Sequence, residues 1–134
     1  GASGEGNVVE LAQTAAKRFG TVVAITGKED IVTDGTNTFT ILNGHHLLTK
    51  VTGAGCLLTS IIGAFTAVSS DCLPSVVTAV AFYVVAAERA ALKTGEDGPG
   101  SFQIELVNQL SKISTTDLEN FAKIKVGGTQ NVHE

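Results

Sequence analysis

The chain has 134 residues, of which 43% are hydrophobic. This length and composition suit one folded domain and exclude a disordered chain. Nine basic residues against thirteen acidic ones leave a net charge of −4. The chain therefore lacks the basic surface that binds polyanions, and no nucleic-acid partner is expected.

The cysteines and the longest apolar stretch bear on where the protein works. Cys56 and Cys72 occur in an acidic chain without a charged and then apolar leader, which favours a reduced, cytoplasmic setting over a disulfide framework. The stretch from Val76 to Ala87 is too short to span a bilayer, so it predicts a buried helix and no membrane partner. Because the chain contains no methionine, we expect it to be a processed or partial product.

The first part of the chain alternates helical and β patterns. Asn7 is a candidate N-cap for an amphipathic helix that ends at Gly20. Thr21–Thr26 is β-branched and apolar on both faces, as in a parallel strand covered by helices. A hairpin follows, with strands at 31–33 and 38–42 around an Asp-Gly turn. These patterns predict an α/β fold in which antiparallel strands border a parallel sheet.

Helical patterns dominate the rest of the chain, and no linker is long enough to divide it into two domains. The helix starts are marked by a glycine loop, by Pro74 in a first turn and by side chains suited to capping. In order, the sequence predicts helices at 57–68 and 75–93, a flexible connection at 95–100, a helix capped by Ser101, a helix opened by a capping box at Ser114–Asp117, and frayed residues at 127–134.

The strongest functional signal is the loop Thr52-Gly53-Ala54-Gly55-Cys56, which an apolar helix follows at once. Glycines let the backbone turn tightly, and the free N–H groups of the first helical turn can receive an anion such as phosphate. Phosphoryl transfer depends on such stabilisation of the charge on the transferring oxygens. The alternative is that the two glycines allow close helix packing. The loop is not a Walker A motif, because no Gly-Lys-Ser/Thr follows it.

Cys56 stands where that helix begins. The helix dipole and the free N–H groups favour the charged thiolate there, and a thiolate can act as a base. The alternative is a small buried hydrophobic residue, which is the commoner role of a lone cysteine.

Other polar residues carry weaker signals. His45 and His46 are adjacent, so in a strand their side chains point to opposite faces and cannot bind one metal ion together. We interpret them as solvated turn residues. Several carboxylates lie in or beside turns, where solvation and local capping compete with a Mg²⁺ role, and Asp97 is the first to test. These carboxylates are Glu29, Asp30, Asp34, Glu96 and Asp97.

Three segments closely resemble hydroxyethylthiazole kinase, the thiamine-salvage enzyme of the ribokinase-like superfamily: 24–27 (AITG), 47–59 (LLTKVTGAGCLLT) and 98–103 (GPGSFQ). The resemblance implies a three-layer α/β/α fold with a mostly parallel sheet and an antiparallel hairpin. It also implies transfer of the γ-phosphate of ATP, with Mg²⁺, to the primary alcohol of 4-methyl-5-(2-hydroxyethyl)thiazole. Members of the family form homotrimers with active sites between subunits.

The resemblance also implies roles for individual residues. Thr26 matches the family's nucleotide-contacting threonine, and Gly53 matches its thiazole-contacting glycine. Gly53, Ala54, Gly55 and Cys56 match its anion hole. Cys56 falls where most ribokinase-like kinases carry a catalytic aspartate, so we expect it to face the substrate hydroxyl as the base.

Full members of the family are considerably longer, and the match is to their C-terminal half. The methionine that contacts thiazole, the arginine that contacts ATP and the acidic residues near Mg²⁺ are expected upstream of Gly1. Residues 1–134 are therefore expected to be the C-terminal part of a single kinase domain and to be inactive alone. Two alternatives stay open: a small-alcohol kinase of the hydroxymethylpyrimidine type, against which the cysteine in place of an aspartate speaks, and a phosphate-binding or oligomerising fragment.

Overall fold

The computed structural model describes residues 5–128, in which helices pack against a four-stranded sheet of order β1-β2-β3-β4. The helices are α1 (Glu5–Phe19), α2 (Ala54–Ala67), α3 (Cys72–Thr94), α4 (Pro99–Leu110) and α5 (Thr115–Phe121), with a 3-10 helix at His46–Lys50. The strands are β1 (Val23–Ile25), β2 (Asp30–Thr33), β3 (Asn37–Ile41) and β4 (Ile124–Gly128). The predicted α/β class is confirmed.

All strand pairs within residues 5–128 are antiparallel, so the prediction of a mostly parallel sheet is wrong for this part of the chain. Short turns join β1 to β2 and β2 to β3, and connections of that length give antiparallel neighbours, whereas a parallel pair needs a crossover of a dozen or more residues. The hairpin is confirmed, with Val32 opposite Phe39. The pattern of β1 misled the prediction, because Ala24 is exposed and only Val23 and Ile25 are partly buried.

α3 forms the centre of the core, as the apolar stretch within it predicts. It packs against α2, α4, α5 and the strands β2 and β3. Its 23 residues are long and apolar enough to cross a membrane by length and composition, and no other helix in the described residues is. Most of its length is buried by its neighbours instead, as in the core helix of a globular domain. Phe102 and Leu106 of α4 complete this core.

Most helix ends predicted from local sequence signals lie within a few residues of the observed ends. Asn7 lies inside α1 and does not cap it, because the helix already begins at Glu5. α4 begins at Pro99 rather than after Ser101, with Gly98 as its N-cap at φ 106°. The capping box is confirmed: Ser114 Oγ accepts from the Asp117 amide, and the Asp117 carboxylate accepts from the Ser114 amide.

The strand β4 was not predicted, and it pairs along β3 with Phe39 opposite Val126. Residues 127 and 128, predicted to fray, belong to this strand, and 129–134 lie outside the described residues.

Candidate active site

A cavity of ≈ 670 Å³ is the main concave feature near the glycine loop. A volume of this size suits a small-molecule ligand. Its walls come from the β1–β2 turn, the loop after β3, the start of α2 and the middle of α3. The lining residues are Thr26, Gly27, Lys28, Asp30, Leu42, Asn43, Gly44, His45, His46, Leu48, Thr49, Ala54, Gly55, Leu58, Tyr83 and Val84.

The glycine loop turns into α2 through Gly53, which caps the helix in the left-handed conformation at φ 84°. The amide of Leu57 donates to the Gly53 carbonyl at 2.9 Å, and the amide of Ala54 makes a long bond of 3.4 Å to Val51. Within the part of the chain that the structure describes, the amides of Gly55 and Cys56 have no acceptor. Two unpaired N–H groups at the start of a helix are an arrangement that can receive an anion.

Close helix packing within the described residues does not explain the two glycines. A Cβ atom at Gly53 or Gly55 would meet nothing within 4 Å. The left-handed backbone at position 53 favours glycine, whereas Gly55 does not have a positive φ. Neither conformation nor packing within the described residues requires glycine at position 55. Because Gly55 has no side chain, the space beside its backbone stays open.

The structure brings only some of the predicted site residues to the cavity. Thr26, Ala54 and Gly55 line it, whereas Gly53 and Cys56 do not. Cys56 is exposed, so the interpretation as a buried hydrophobic residue is wrong. Its thiol is accessible beside the cavity, in the first turn of α2.

Tyr83 of α3 ties the glycine loop to the core, and the sequence patterns did not single it out. Its hydroxyl donates to the Ala54 carbonyl at 2.9 Å, and the residue is only 3% exposed. Burial raises the pKa of Tyr83 to about 12, so the hydroxyl keeps its proton at working pH. A lone tyrosine in an apolar helix was the available signal, because a buried tyrosine hydroxyl usually has a hydrogen-bond partner.

A second polar cluster fixes the loop after β3, which the sequence indicated only as an Asn-Gly turn. Asn43, 2% exposed, donates to Glu88 at 2.7 Å and to the Phe121 carbonyl at 2.8 Å. It also accepts from the amide of Lys123. The second oxygen of Glu88 accepts from the Gly44 amide at 3.0 Å. These bonds hold the cavity wall against α3.

The histidines are not arranged as a strand would place them. His45 caps the 3-10 helix, where its Nδ1 accepts from the Leu47 amide at 3.2 Å. The rings of His45 and His46 lie 4.4 Å apart between centroids, on the same side of the chain. Burial, and then the neighbouring His46, lower the pKa of His45, although Glu88 opposes this.

Asp30 is the carboxylate, among those noted in turns, that reaches the cavity. It is 6% exposed and accepts from the Gly27 amide at 3.1 Å, which closes the β1–β2 turn next to Thr26. Burial raises the pKa of Asp30 to about 6, although the Gly27 hydrogen bond opposes the shift. Asp97 is exposed and does not line the cavity. No group of three potential metal ligands occurs among residues 5–128.

Comparison with known proteins gives the same family as the motifs. The model of the hydroxyethylthiazole kinase family matches residues 1–116. A solved structure of a hydroxyethylthiazole kinase from Pyrococcus horikoshii OT3 superposes with a TM-score of 0.87 and is 38% identical in sequence. The match covers 92% of this chain but 48% of that one. This chain therefore spans about half the length of the archaeal protein.

Proposed function

The chain belongs to the hydroxyethylthiazole kinase family, and from that premise we propose that it carries the phosphate-binding part of a thiazole kinase active site. The reaction would transfer the γ-phosphate of ATP to the primary alcohol of 4-methyl-5-(2-hydroxyethyl)thiazole. One observation carries the proposal beyond family membership. The two unpaired amides, of Gly55 and Cys56, open the helix whose first turn borders the cavity.

The chemistry asks mainly for positioning and charge stabilisation. In phosphoryl transfer, charge spreads over the oxygens of the transferring group, and fixed donors aimed at them lower the barrier. The amides of Gly55 and Cys56 would bind those oxygens, and Gly53 would contact the thiazole. Thr26, which also lines the cavity, would contact the nucleotide.

Cys56 is the proposed base. Its exposed thiol stands in the first turn of α2, next to Gly55 of the cavity lining. It would accept the proton of the substrate hydroxyl as the phosphorus–oxygen bond forms and ADP leaves. A loose transition state demands little proton removal early on, so the anion hole would contribute more than the base.

The family also implies Mg²⁺. Because residues 5–128 hold no cluster of three potential ligands, they do not supply a complete site, and no step is assigned to the ion. We further infer that residues 1–134 form the C-terminal part of one ribokinase-like three-layer domain. The chain spans 48% of the Pyrococcus protein, and its motifs resemble those of the family's C-terminal half. For that reason residues 1–134 alone are expected to be inactive.

The family's homotrimer and cytoplasmic location are likewise proposed for this protein. Large exposed apolar side chains are available on the described residues for another subunit to cover. Examples are Phe19 (71% exposed), Val68 (86%) and Leu92 (86%). Sedimentation of the protein as it is expressed would test the assembly, and a single species at monomer mass would contradict it.

A coupled ADP-release assay tests the activity. The protein carrying this chain is supplied with ATP and, in turn, the thiazole alcohol, a hydroxymethylpyrimidine and sugar alcohols. We expect turnover with the thiazole. Preference for the pyrimidine would favour the related small-alcohol kinase, and no turnover with any alcohol would leave a phosphate-binding or oligomerising fragment.

Substitution of the proposed base refines this test. Cys56→Asp should retain activity, because related kinases use a carboxylate there, whereas Cys56→Ala should lose about 10-fold or more of kcat. Cys72→Ala is the matched control, since Cys72 is also an exposed free cysteine but stands in the first turn of α3 and not in the glycine loop. If Cys56→Ala kept the parent rate, the anion hole alone would carry the catalysis.

A further inference from the structure

We propose that Tyr83 is a positioning residue for the anion hole. Its hydroxyl, bonded to the Ala54 carbonyl at 2.9 Å, holds the glycine loop on α3 so that the amides of Gly55 and Cys56 point at the phosphate. The inference rests on the proposed function and names a residue that acts through the loop without touching the substrate.

Apart from the backbone hydrogen bonds at the start of α2, such as that of Leu57 to Gly53, the loop has few side chains to anchor it. Gly53 and Gly55 flank Ala54, and neither has a side chain that could pack or restrict the backbone. Gly53, Gly55 and Cys56 are all exposed. Within residues 5–128, the Tyr83 hydroxyl makes the only side-chain hydrogen bond to residues 53–56 from outside α2. A mobile anion hole would stabilise the transition state poorly, because preorganised donors are what give it strength.

The Tyr83 side chain is itself held in place by its burial in the core. It lies in the middle of α3 at 3% exposure, with Val80, Val84 and Ala87 buried on the same helix. Because α3 packs against both the sheet and α2, the hydroxyl has little freedom to move. The raised pKa keeps it a donor rather than a phenolate. A rigid helix and a single directed bond thus set the position of an otherwise permissive loop.

Tyr83→Phe removes only the hydroxyl and tests the tether. Ser75→Ala is the matched control, because Ser75 lies in the same helix, is 8% exposed and donates its hydroxyl to the Asp71 carbonyl at 2.7 Å, away from the cavity. Each variant loses one hydroxyl-to-carbonyl bond, so comparable losses of stability are expected. A difference in function between them then reports on the loop.

Two readouts separate positioning from a merely structural role. In hydrogen–deuterium exchange, the hydrogen-bonded amides of Ala54 and Leu57 should exchange about 10-fold faster in Tyr83→Phe and unchanged in Ser75→Ala. In the ADP-release assay, Tyr83→Phe should lower kcat about 10-fold while KM for the thiazole stays within about twofold, and Ser75→Ala should match the parent.

Unchanged exchange of the Ala54 and Leu57 amides in Tyr83→Phe would overturn the proposal, and so would an equal fall of kcat in both variants. If the parent protein turned over no alcohol, the proposed function would fail. The exchange measurement would still decide whether Tyr83 holds the loop. Faster exchange without any change in kcat would show a tether that catalysis does not use, which also overturns the positioning role.

Discussion

Gly55 stands in the first turn of α2 with open space where a side chain would lie. Its backbone φ is not positive, and a Cβ would meet nothing within 4 Å. A glycine in a helix lowers stability relative to alanine, because it has more conformational freedom to lose on folding. The folded chain thus gains nothing from this glycine, while an approaching phosphate would gain the space.

We therefore predict that Gly55→Ala raises stability and weakens nucleotide binding. The free energy of unfolding should increase by up to about 1 kcal/mol, and ATP affinity should fall about 10-fold, as urea unfolding and titration calorimetry would measure. Gly63→Ala is the matched control, since Gly63 lies in the same helix and a Cβ atom there would also meet nothing within 4 Å. It should raise stability and leave ATP affinity unchanged.

Undiminished ATP affinity in Gly55→Ala would contradict the assignment of this face to the phosphate. Equal weakening in both variants would point to a change in α2 as a whole.

At the scale of elements, the loop after β3 connects parts that are far apart in the sequence. Asn43 bonds to Glu88 of α3, to Phe121 at the end of α5 and to Lys123 just before β4. Every one of these bonds satisfies a polar group beside the core, and a buried polar group without a partner is costly. The Asn43 side chain therefore fixes both the cavity wall and the entry of β4 into the sheet.

Asn43→Ala should lower the free energy of unfolding by about 3 kcal/mol, because it leaves several buried partners unpaired. Asn108→Ala is the control: Asn108 is exposed, and its side chain makes one long bond of 3.3 Å to Glu105. That variant should stay within about 0.5 kcal/mol of the parent in urea unfolding. Similar losses in the two variants would show that the cluster adds no stability of its own.

The strands also show which local sequence patterns were enough to predict an element correctly. The Asp34–Asn37 turn is closed by the Asp34 carboxylate, which accepts from the amides of Thr36 and Asn37, so the hairpin was predictable from a few adjacent residues. β1 was misassigned because apolar residues on both faces do not reveal the direction of the neighbouring strand. Its partner is decided by the short connection to β2.

For the whole molecule, Asp30 makes stability depend on pH. Its pKa is raised to about 6 in the folded protein, above the ordinary 3.8, so the folded state holds this proton more tightly than the unfolded state. Stability from this group is present below about pH 4 and is lost as pH rises towards 6. The loss at neutral pH is about 3 kcal/mol. A carboxylate retained at such a cost, on the cavity wall, is consistent with a functional position.

Asp30→Asn should accordingly stabilise the protein at pH 7.5, by up to about 3 kcal/mol, and have little effect at pH 4. The amide oxygen of asparagine can still accept from the Gly27 amide. Asp34→Asn provides the opposite case, because hydrogen bonds from the Asn37 and Thr36 amides lower the pKa of Asp34. It should lose stability at pH 7.5, and urea unfolding at both pH values would check each variant. A stability difference for Asp30→Asn that did not vary with pH would contradict the burial effect.

The amino-acid sequence by itself determined the α/β class, the hairpin, the glycine loop and its motif, because each depends on residues that are close along the chain. The capping box at Ser114 is of the same kind. Tertiary structure decided which residues meet: Tyr83 reaches Ala54 across 29 positions, Asn43 reaches Glu88 across 45, and β4 pairs with β3. No local pattern encodes these partners, since they result from how α3 packs between the sheet and α2. The sequence thus located the glycine loop, and the packed core decided which residues contact it.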